Sequence, residues 1–439
     1  MKYISTRGQA PSVSFGEAVA RGLAPDGGLY VPESWPEIPL SDFDGATTLP
    51  EVAEIMLRPF VKGDPVAPLL GDIVREAFNF PAPLVPVNTD GSLSVLELFH
   101  GPTAAFKDFG ARFLAAALAR IRARSSNSGD AKPLNILVAT SGDTGGAVAA
   151  AFHQRPGVLV SVLFPKGLVS PTQERQLTCW GDNVHSYRVS GSFDDCQRVV
   201  KEAFVDADLR QRFELSSANS INLGRLLPQA VYYAATSLAV FRATGEKPNY
   251  IIPSGNLGNS VACVWARKIG LPVGRILLAH NINRAVPDYL ATGNWLPRPS
   301  IATLASAMDV GSPSNMERLR ALFPDVAQVR EAVQAASVTD EQIRHRITED
   351  FRNYGKAWCP HTATAAEVYA RLASADRLGQ RWVLVSTAHP AKFHEIVQPL
   401  IGQRIEMPES LAKLFSRPVS CADLEPSLAA LSGALGKVK

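Results

Sequence analysis

Six short apolar runs, 135–139, 158–164, 184–189, 249–252, 274–279 and 382–385, recur along the chain with helical stretches between them. Glycine-rich turns lead from several of these runs into the helix that follows. Such alternation predicts an α/β fold of open, mostly parallel sheets covered by helices on both faces, with ligands gathered beyond the carboxyl ends of the strands. The apolar run 230–241 is interrupted by Thr236 and Ser237 and is too short to cross a bilayer, so it reads as a core helix. Three consecutive blocks are expected: an N-terminal region over 1–95, a smaller α/β domain over 96–217 and a larger one over 218–439, with the chemistry in the cleft between the last two. Pro297, Arg298 and Pro299 mark an exposed bend.

One lysine stands at the start of an apolar helix between two aromatic residues, in Phe106-Lys107-Asp108-Phe109. Loss of hydration there lowers the pKa of the Lys107 ammonium and suits the amine to Schiff-base formation with an aldehyde cofactor near neutral pH. A solvated helix-opening lysine is the plain alternative.

Three loops bear on the choice. Thr140-Ser141-Gly142-Asp143-Thr144-Gly145-Gly146 reads as strand, turn and helix, and its hydroxyls and glycines let an anion such as a carboxylate approach unpaired N–H groups. Asp143 or Thr144 serving only as a helix cap is the alternative. Ser254-Gly255-Asn256-Leu257-Gly258-Asn259 repeats the pattern with neutral donors suited to a phosphate dianion. It has neither the Lys-Ser/Thr ending of a P-loop nor a dinucleotide fingerprint, which disfavours a nucleotide triphosphate or NAD. In the third, the strand 382–385 ends in Ser386 and Thr387, a hydroxyl pair able to meet a ring nitrogen without keeping it protonated. Asn222 and Arg225, three apart at the start of a helix, are expected to share a face on which a guanidinium binds phosphate or carboxylate; an ordinary ion pair is the alternative there.

Composition narrows the class without choosing within it. The 439 residues, 46% hydrophobic and 19% charged, suit a large soluble protein of two or three domains. A net charge of +3 with dispersed Lys and Arg gives no nucleic-acid footprint, and Arg120, Arg122 and Arg124 read as a solvated helix end. Five widely spaced cysteines and eight histidines form neither a disulfide framework nor a metal pattern, so no metal is expected. Cysteine usage and the lack of a targeting signal point to the cytoplasm, with no membrane partner.

Taken together, the opening Met1-Lys2-Tyr3-Ile4-Ser5-Thr6-Arg7-Gly8, the segment from Gly22 to Pro32, the lysine motif and the three loops resemble the threonine synthase family, in its order and over nearly the whole chain. The match is to its longer subgroup, which has an extended N-terminal region and Asp in Ser-Gly-Asp-Thr-Gly. The resemblance implies a fold-type II pyridoxal-phosphate enzyme, related to the tryptophan synthase β architecture. Lys107 would carry pyridoxal 5′-phosphate and act as base. Gly255, Asn256, Leu257, Gly258 and Asn259 would hold the cofactor phosphate, and Thr387 the ring nitrogen, with Asp143 near the cofactor. Ser141 and Thr144 would orient the substrate carboxylate, while Asn222 and Arg225 would take the departing phosphate. The implied reaction converts O-phospho-L-homoserine and water to L-threonine and phosphate, in a monomer or homodimer. A threonine or serine dehydratase, or a catalytically inactive pyridoxal-phosphate-binding regulator, is the competing reading. Asp143 is awkward beside anionic groups, and is expected either to be protonated or to act through turn geometry alone.

Overall fold

The computed structural model describes residues 1–125 and 132–437. Thirteen strands are found among them: β1 Tyr3–Ser5, β2 Tyr30–Pro32, β3 Leu84–Pro86, β4 Leu93–Glu97, β5 Leu134–Ala139, β6 Val158–Pro165, β7 Val184–Val189, β8 Glu214–Ser217, β9 Asn249–Pro253, β10 Ile276–His280, β11 Gln334–Ser337, β12 Trp382–Ser386 and β13 Ala422–Leu424. The larger sheet runs β11-β10-β9-β12-β4-β3 and the smaller β13-β7-β6-β5-β8. All neighbours in both are parallel except β3, which pairs antiparallel with β4 at the edge of the larger sheet. Every residue of β5, β9, β10 and β12 is buried, as expected for strands covered on both faces. The fold is therefore the open, parallel α/β architecture that the apolar runs predict.

The sheets do not follow three consecutive blocks. β4, at the boundary expected near residue 95, lies inside the larger sheet with β12 in register from Leu93↔Trp382 to Glu97↔Ser386. β13, expected in the larger domain, instead joins the smaller sheet beside β7. The chain thus begins the larger sheet, leaves to build the smaller one, returns, and closes on the smaller sheet again. Short local runs carry no sign of such long-range partners, because pairing is decided by burial of the assembled faces.

The helix Lys107–Ser125 lies at the centre, with Ala111, Phe113, Leu114 and Leu118 buried. Helices Leu70–Ala77 and Asp143–Phe152 pack on it. Its outer end is tied down rather than freely solvated: Arg120 pairs with Glu76 and Arg122 with Glu214, each at 2.8 Å. The run near 230 forms the helix Ala230–Thr244 and lies mostly within the core. No helix of the described residues is long and apolar enough to cross a membrane.

The N-terminal region docks on both domains. A capping box, with Ser14 and Glu17 satisfying each other's backbone donors, starts the helix Phe15–Arg21. Arg318, fully buried, donates to the carbonyls of Tyr30, Ser220 and Ile221 and to Asn315 Oδ1, so one guanidinium fastens β2 to the cleft wall. Burial draws its pKa down to about 9.

Candidate active site

A cavity of about 670 Å³ opens between the two sheets. Connections leaving the carboxyl ends of β4, β5, β9 and β12 supply Lys107, Ser141, Asp143, Thr144, the turn 254–259 and Thr387 to its walls. Open parallel sheets leave helix N-termini and unpaired N–H groups at that edge, which is why ligands collect there. The first and last of these connections are joined to each other. Phe106 N donates to the Thr387 carbonyl at 2.8 Å and His389 N to that of Ala104 at 3.1 Å, around a left-handed backbone at Ala104 (φ 52°).

Lys107 begins its helix with the side chain 15% exposed and Nζ 4.6 Å from the centre of the Phe106 ring. Phe109 turns away into the core against Phe80 and Tyr232. Burial pulls the Lys107 amine down to about 8, opposed by the charge of Asp143 and reinforced by Lys392 and Arg225. The amine is accordingly much closer to its free-base form at neutral pH than a surface lysine.

Asp143 is neither protonated nor a mere turn former. Its Oδ1 receives Lys392 Nζ at 2.7 Å and Gln173 Nε2 at 3.1 Å, and its Oδ2 lies 4.0 Å from Lys107 Nζ. Burial alone would raise its pKa, but the charges of Lys392 and Lys107 outweigh that and hold the carboxyl well below the usual range. Gly142 makes this approach possible. Its φ of 138° is a glycine conformation, and a Cβ there would meet the Gln173 amide at 2.5 Å. Thr140 Oγ1 accepts from both Gly142 N (3.0 Å) and Gly145 N (2.9 Å), and so gives the first turn of helix Asp143–Phe152 the side-chain acceptor that its N-cap Gly142 lacks.

The turn 254–259 is built differently. Leu257 is left-handed (φ 61°) and caps the helix Gly258–Lys268 with no side-chain bond, so the first N–H groups of that helix remain open. Gly255 is pressed on the backbone of Met308, where a Cβ would come within 2.7 Å of its Cα. Asn256 is held on several sides, donating to Ser220 Oγ (2.6 Å) while its own oxygens accept from Ser314 N (2.5 Å) and Asn315 Nδ2 (2.9 Å). Asn259 Oδ1 accepts from the hydroxyls of Tyr232 (2.5 Å) and Tyr233 (2.8 Å), which fixes the amide and leaves Nδ2 a buried donor with no partner. An orphaned neutral donor beside open helix N–H groups, facing a cavity that also holds a depressed lysine, fits a phosphorylated aldehyde.

At the end of β12, Thr387 lines the cavity while Ser386 does not; its hydroxyl shares a hydrogen bond with Thr362 at 3.0 Å. Arg225 reaches the cavity from below. It is 2% exposed, Nη1 donates to the Ala218 carbonyl, Nε has no partner, and burial lowers its pKa to about 10. Asn222 corrects the expectation that it shares a face with Arg225. It is the N-cap of the four-residue helix Leu223–Leu226, outside the helical turn, and lies away from the cavity. Its amide donates to the Val19 and Ser217 carbonyls and accepts from Gly224 N. No long helix starts there either, because Pro228 breaks the path to Ala230–Thr244 with a 3-10 turn.

Sequence reasoning did not find Lys392 or His361. Lys392, whose side chain is fully buried, carries no local signal in the sequence; only its ion pair reveals it. His361 lines the cavity from helix Pro360–Ala370, accepts from Ala307 N at 3.1 Å and is held neutral by burial, with a pKa lowered to about 4. Arg7, Lys201 and Arg298 also reach the cavity, from three regions far apart in sequence.

A depressed lysine facing a neutral anion cradle across two parallel sheets is the arrangement of a pyridoxal-phosphate-dependent enzyme, and the family model of that description matches residues 78–388. Models described as the threonine synthase N terminus and the threonine synthase C-terminal region match residues 2–78 and 362–434. The chain belongs to the threonine synthase family. It is 39% identical to threonine synthase of Escherichia coli (strain K12) over 434 residues, covering 98% of each chain. The crystal structure of the Escherichia coli enzyme superposes with a TM-score of 0.90 at 37% identity, covering all of both chains. A pyridoxal-phosphate-bound threonine synthase from Brucella melitensis superposes with a TM-score of 0.89 at 34% identity, over 99% of this chain and 98% of that one.

Proposed function

We propose that this chain forms L-threonine and phosphate from O-phospho-L-homoserine and water, the closing step of threonine biosynthesis, with pyridoxal phosphate as cofactor. The observation that carries the proposal is the pairing of Lys107 with the turn 254–259 across one cavity, in a chain related along its whole length to threonine synthases. When bound, the cofactor supplies an aldehyde for amines and an aromatic ring that draws electrons from the carbons next to them.

The protein's part is to bind, orient and move protons. Backbone N–H groups of Gly255, Asn256, Leu257 and Gly258, with Asn259 Nδ2, take the phosphate ester of the cofactor; Leu257 serves through its amide. The Thr387 hydroxyl would meet the ring nitrogen, and being neutral it would moderate the electron demand there. Lys107 Nζ, as a free amine, would take the proton from the substrate α-carbon and return one at the end. Ser141 and Thr144 orient the substrate carboxylate. Asp143 does not repel it, because Lys392 compensates its charge. Arg225 binds the departing phosphate with its unpartnered Nε, and Asn222 acts only by shaping the turn before it. Lys201 adds positive charge at the cavity wall for a doubly charged substrate, whereas Arg7 and Arg298, which also reach it, are paired with Glu317 and Asp288.

The protein is assigned to the cytoplasm as a monomer or homodimer. Its free thiols Cys179, Cys196, Cys263, Cys359 and Cys421 suit a reducing compartment.

The deciding assay supplies purified protein with pyridoxal phosphate and O-phospho-L-homoserine. Equal amounts of threonine and phosphate are expected. Ammonia and a 2-oxo acid from threonine or serine, without phosphate release from phosphohomoserine, would replace this reading with a dehydratase; bound cofactor with no turnover would replace it with a regulator.

A further inference from the structure

We propose that Lys392 is a positioning residue for Lys107: its ammonium spans the cleft to hold Asp143 charged and turned aside, so that the neighbouring lysine amine is left free to lose its proton. Asp143 begins the helix after β5 in the smaller sheet, whereas Lys392 lies in the 3-10 turn Pro390–Phe393 after β12 in the larger one. Their 2.7 Å contact therefore joins the two domains at the reacting amine. Both groups are almost completely buried, and a buried pair returns little net stability once desolvation is counted, so its value lies in what it does to its surroundings.

The surroundings are specific. Lys392 Nζ also donates to the Thr103 carbonyl at 3.0 Å, where Gln176 Nε2 donates as well, again at 3.0 Å. Thr103 is further fixed by Asp108, which accepts from its N–H (2.8 Å) and its hydroxyl (2.7 Å). The peptide four residues before Lys107 is thus anchored from three directions, one of them Lys392. Without that ammonium, Asp143 would have Lys107 as its nearest cation, at 4.0 Å, and would hold it protonated. The charged and titratable groups around Lys107 are Asp143 at the start of helix Asp143–Phe152, Lys392 from the 3-10 turn, Arg225 from helix Leu223–Leu226, Cys359 and His361 at the start of helix Pro360–Ala370, and Asp108 beside it. Lys392 and Asp143 act on the amine with opposite sign.

The inference rests on Lys107 being the amine that takes the cofactor. That assignment is tested separately, by borohydride reduction of the cofactor-loaded chain: label on another lysine ends it, whatever is found for Lys392. The test of Lys392 is reductive methylation of the full-length chain before cofactor is added, with modification of Lys107 followed by peptide mass spectrometry from about pH 6 to about pH 10. Lys392→Met is expected to move the midpoint of Lys107 reactivity upward by about one unit, a tenfold loss of free amine at a given pH below it. Lys392→Arg keeps the charge and should stay within about 0.3 unit of the parent. Asp143→Asn should move the midpoint down. General loosening of the site would instead raise it in every variant, towards the value of a solvated lysine. Lys392→Gln carries the same expectation as the Met variant and replaces it if circular dichroism shows that one unfolded. A parental midpoint in the neutral variant, a rise of a full unit in Lys392→Arg, or an upward shift in Asp143→Asn overturns the proposal.

Discussion

The turns 140–146 and 254–259 share one backbone plan, a buried parallel strand followed by a glycine turn and the start of a helix, yet they offer the cavity opposite chemistry. The second presents only neutral donors, and its one buried, unpartnered nitrogen belongs to Asn259. The first presents a carboxylate that arrives with its own cation in Lys392. A neutral cradle has no partner charge to surrender, so it takes up an anion from outside. A turn whose charge is already compensated acts on the amine beside it. The same local fold is thereby suited to binding on one side of the cleft and to proton control on the other, and what is buried behind each turn decides which.

Substitutions can break this contrast at several strengths. The largest effect is expected where the two turns converge: Lys107→Ala should reduce threonine formation on the order of 10⁴-fold and abolish the visible absorbance of the cofactor-loaded protein. In the unsubstituted chain, the rate of cofactor capture should fall about tenfold per pH unit on the acid side of about 8, because only the free amine reacts. Next, Asn259→Leu removes the open donor from the neutral turn. It should weaken pyridoxal phosphate about 10- to 100-fold in equilibrium titration, the worth of a hydrogen bond to a charged group. In the charged turn, Thr140→Val deprives two N–H groups of their acceptor and should cost about 1–3 kcal/mol of stability in denaturant unfolding while cofactor affinity stays within about threefold. Equal loss of affinity from the last two substitutions would erase the distinction between the turns. The smallest effect is expected from Ser386→Ala, about 1 kcal/mol for the hydroxyl pair with Thr362 and no change in the cofactor spectrum. A spectral change there would transfer the ring-nitrogen role from Thr387 to Ser386.

Much of this is legible in the sequence. The run 184–189 is β7 residue for residue, and the runs near 135, 158, 249, 276 and 382 miss the observed strand ends by no more than two residues. Strands buried on both faces announce themselves through uninterrupted apolarity, and the turns through glycine and asparagine. β13 could not be read, since three residues with two of them exposed carry no periodicity and gain their place only from β7. Asn222 misled because a spacing of three places residues on one face only inside a helix, and it stands just outside one. Lys392 was hidden for a deeper reason. Its meaning depends on Asp143, about 250 residues earlier, and charge pairing across a cleft leaves no local pattern in either segment.

The interleaving of the two sheets also dictates a timetable for the nascent chain. β4 leaves the ribosome nearly 290 residues ahead of its partner β12, and β7 waits more than 230 residues for β13. Pairings so distant delay assembly, since the entropy of closing such long loops falls due before the contacts form. Neither sheet is finished until β12 and β13 have been made, so a chain cut short before them yields no half-built catalyst able to trap the cofactor.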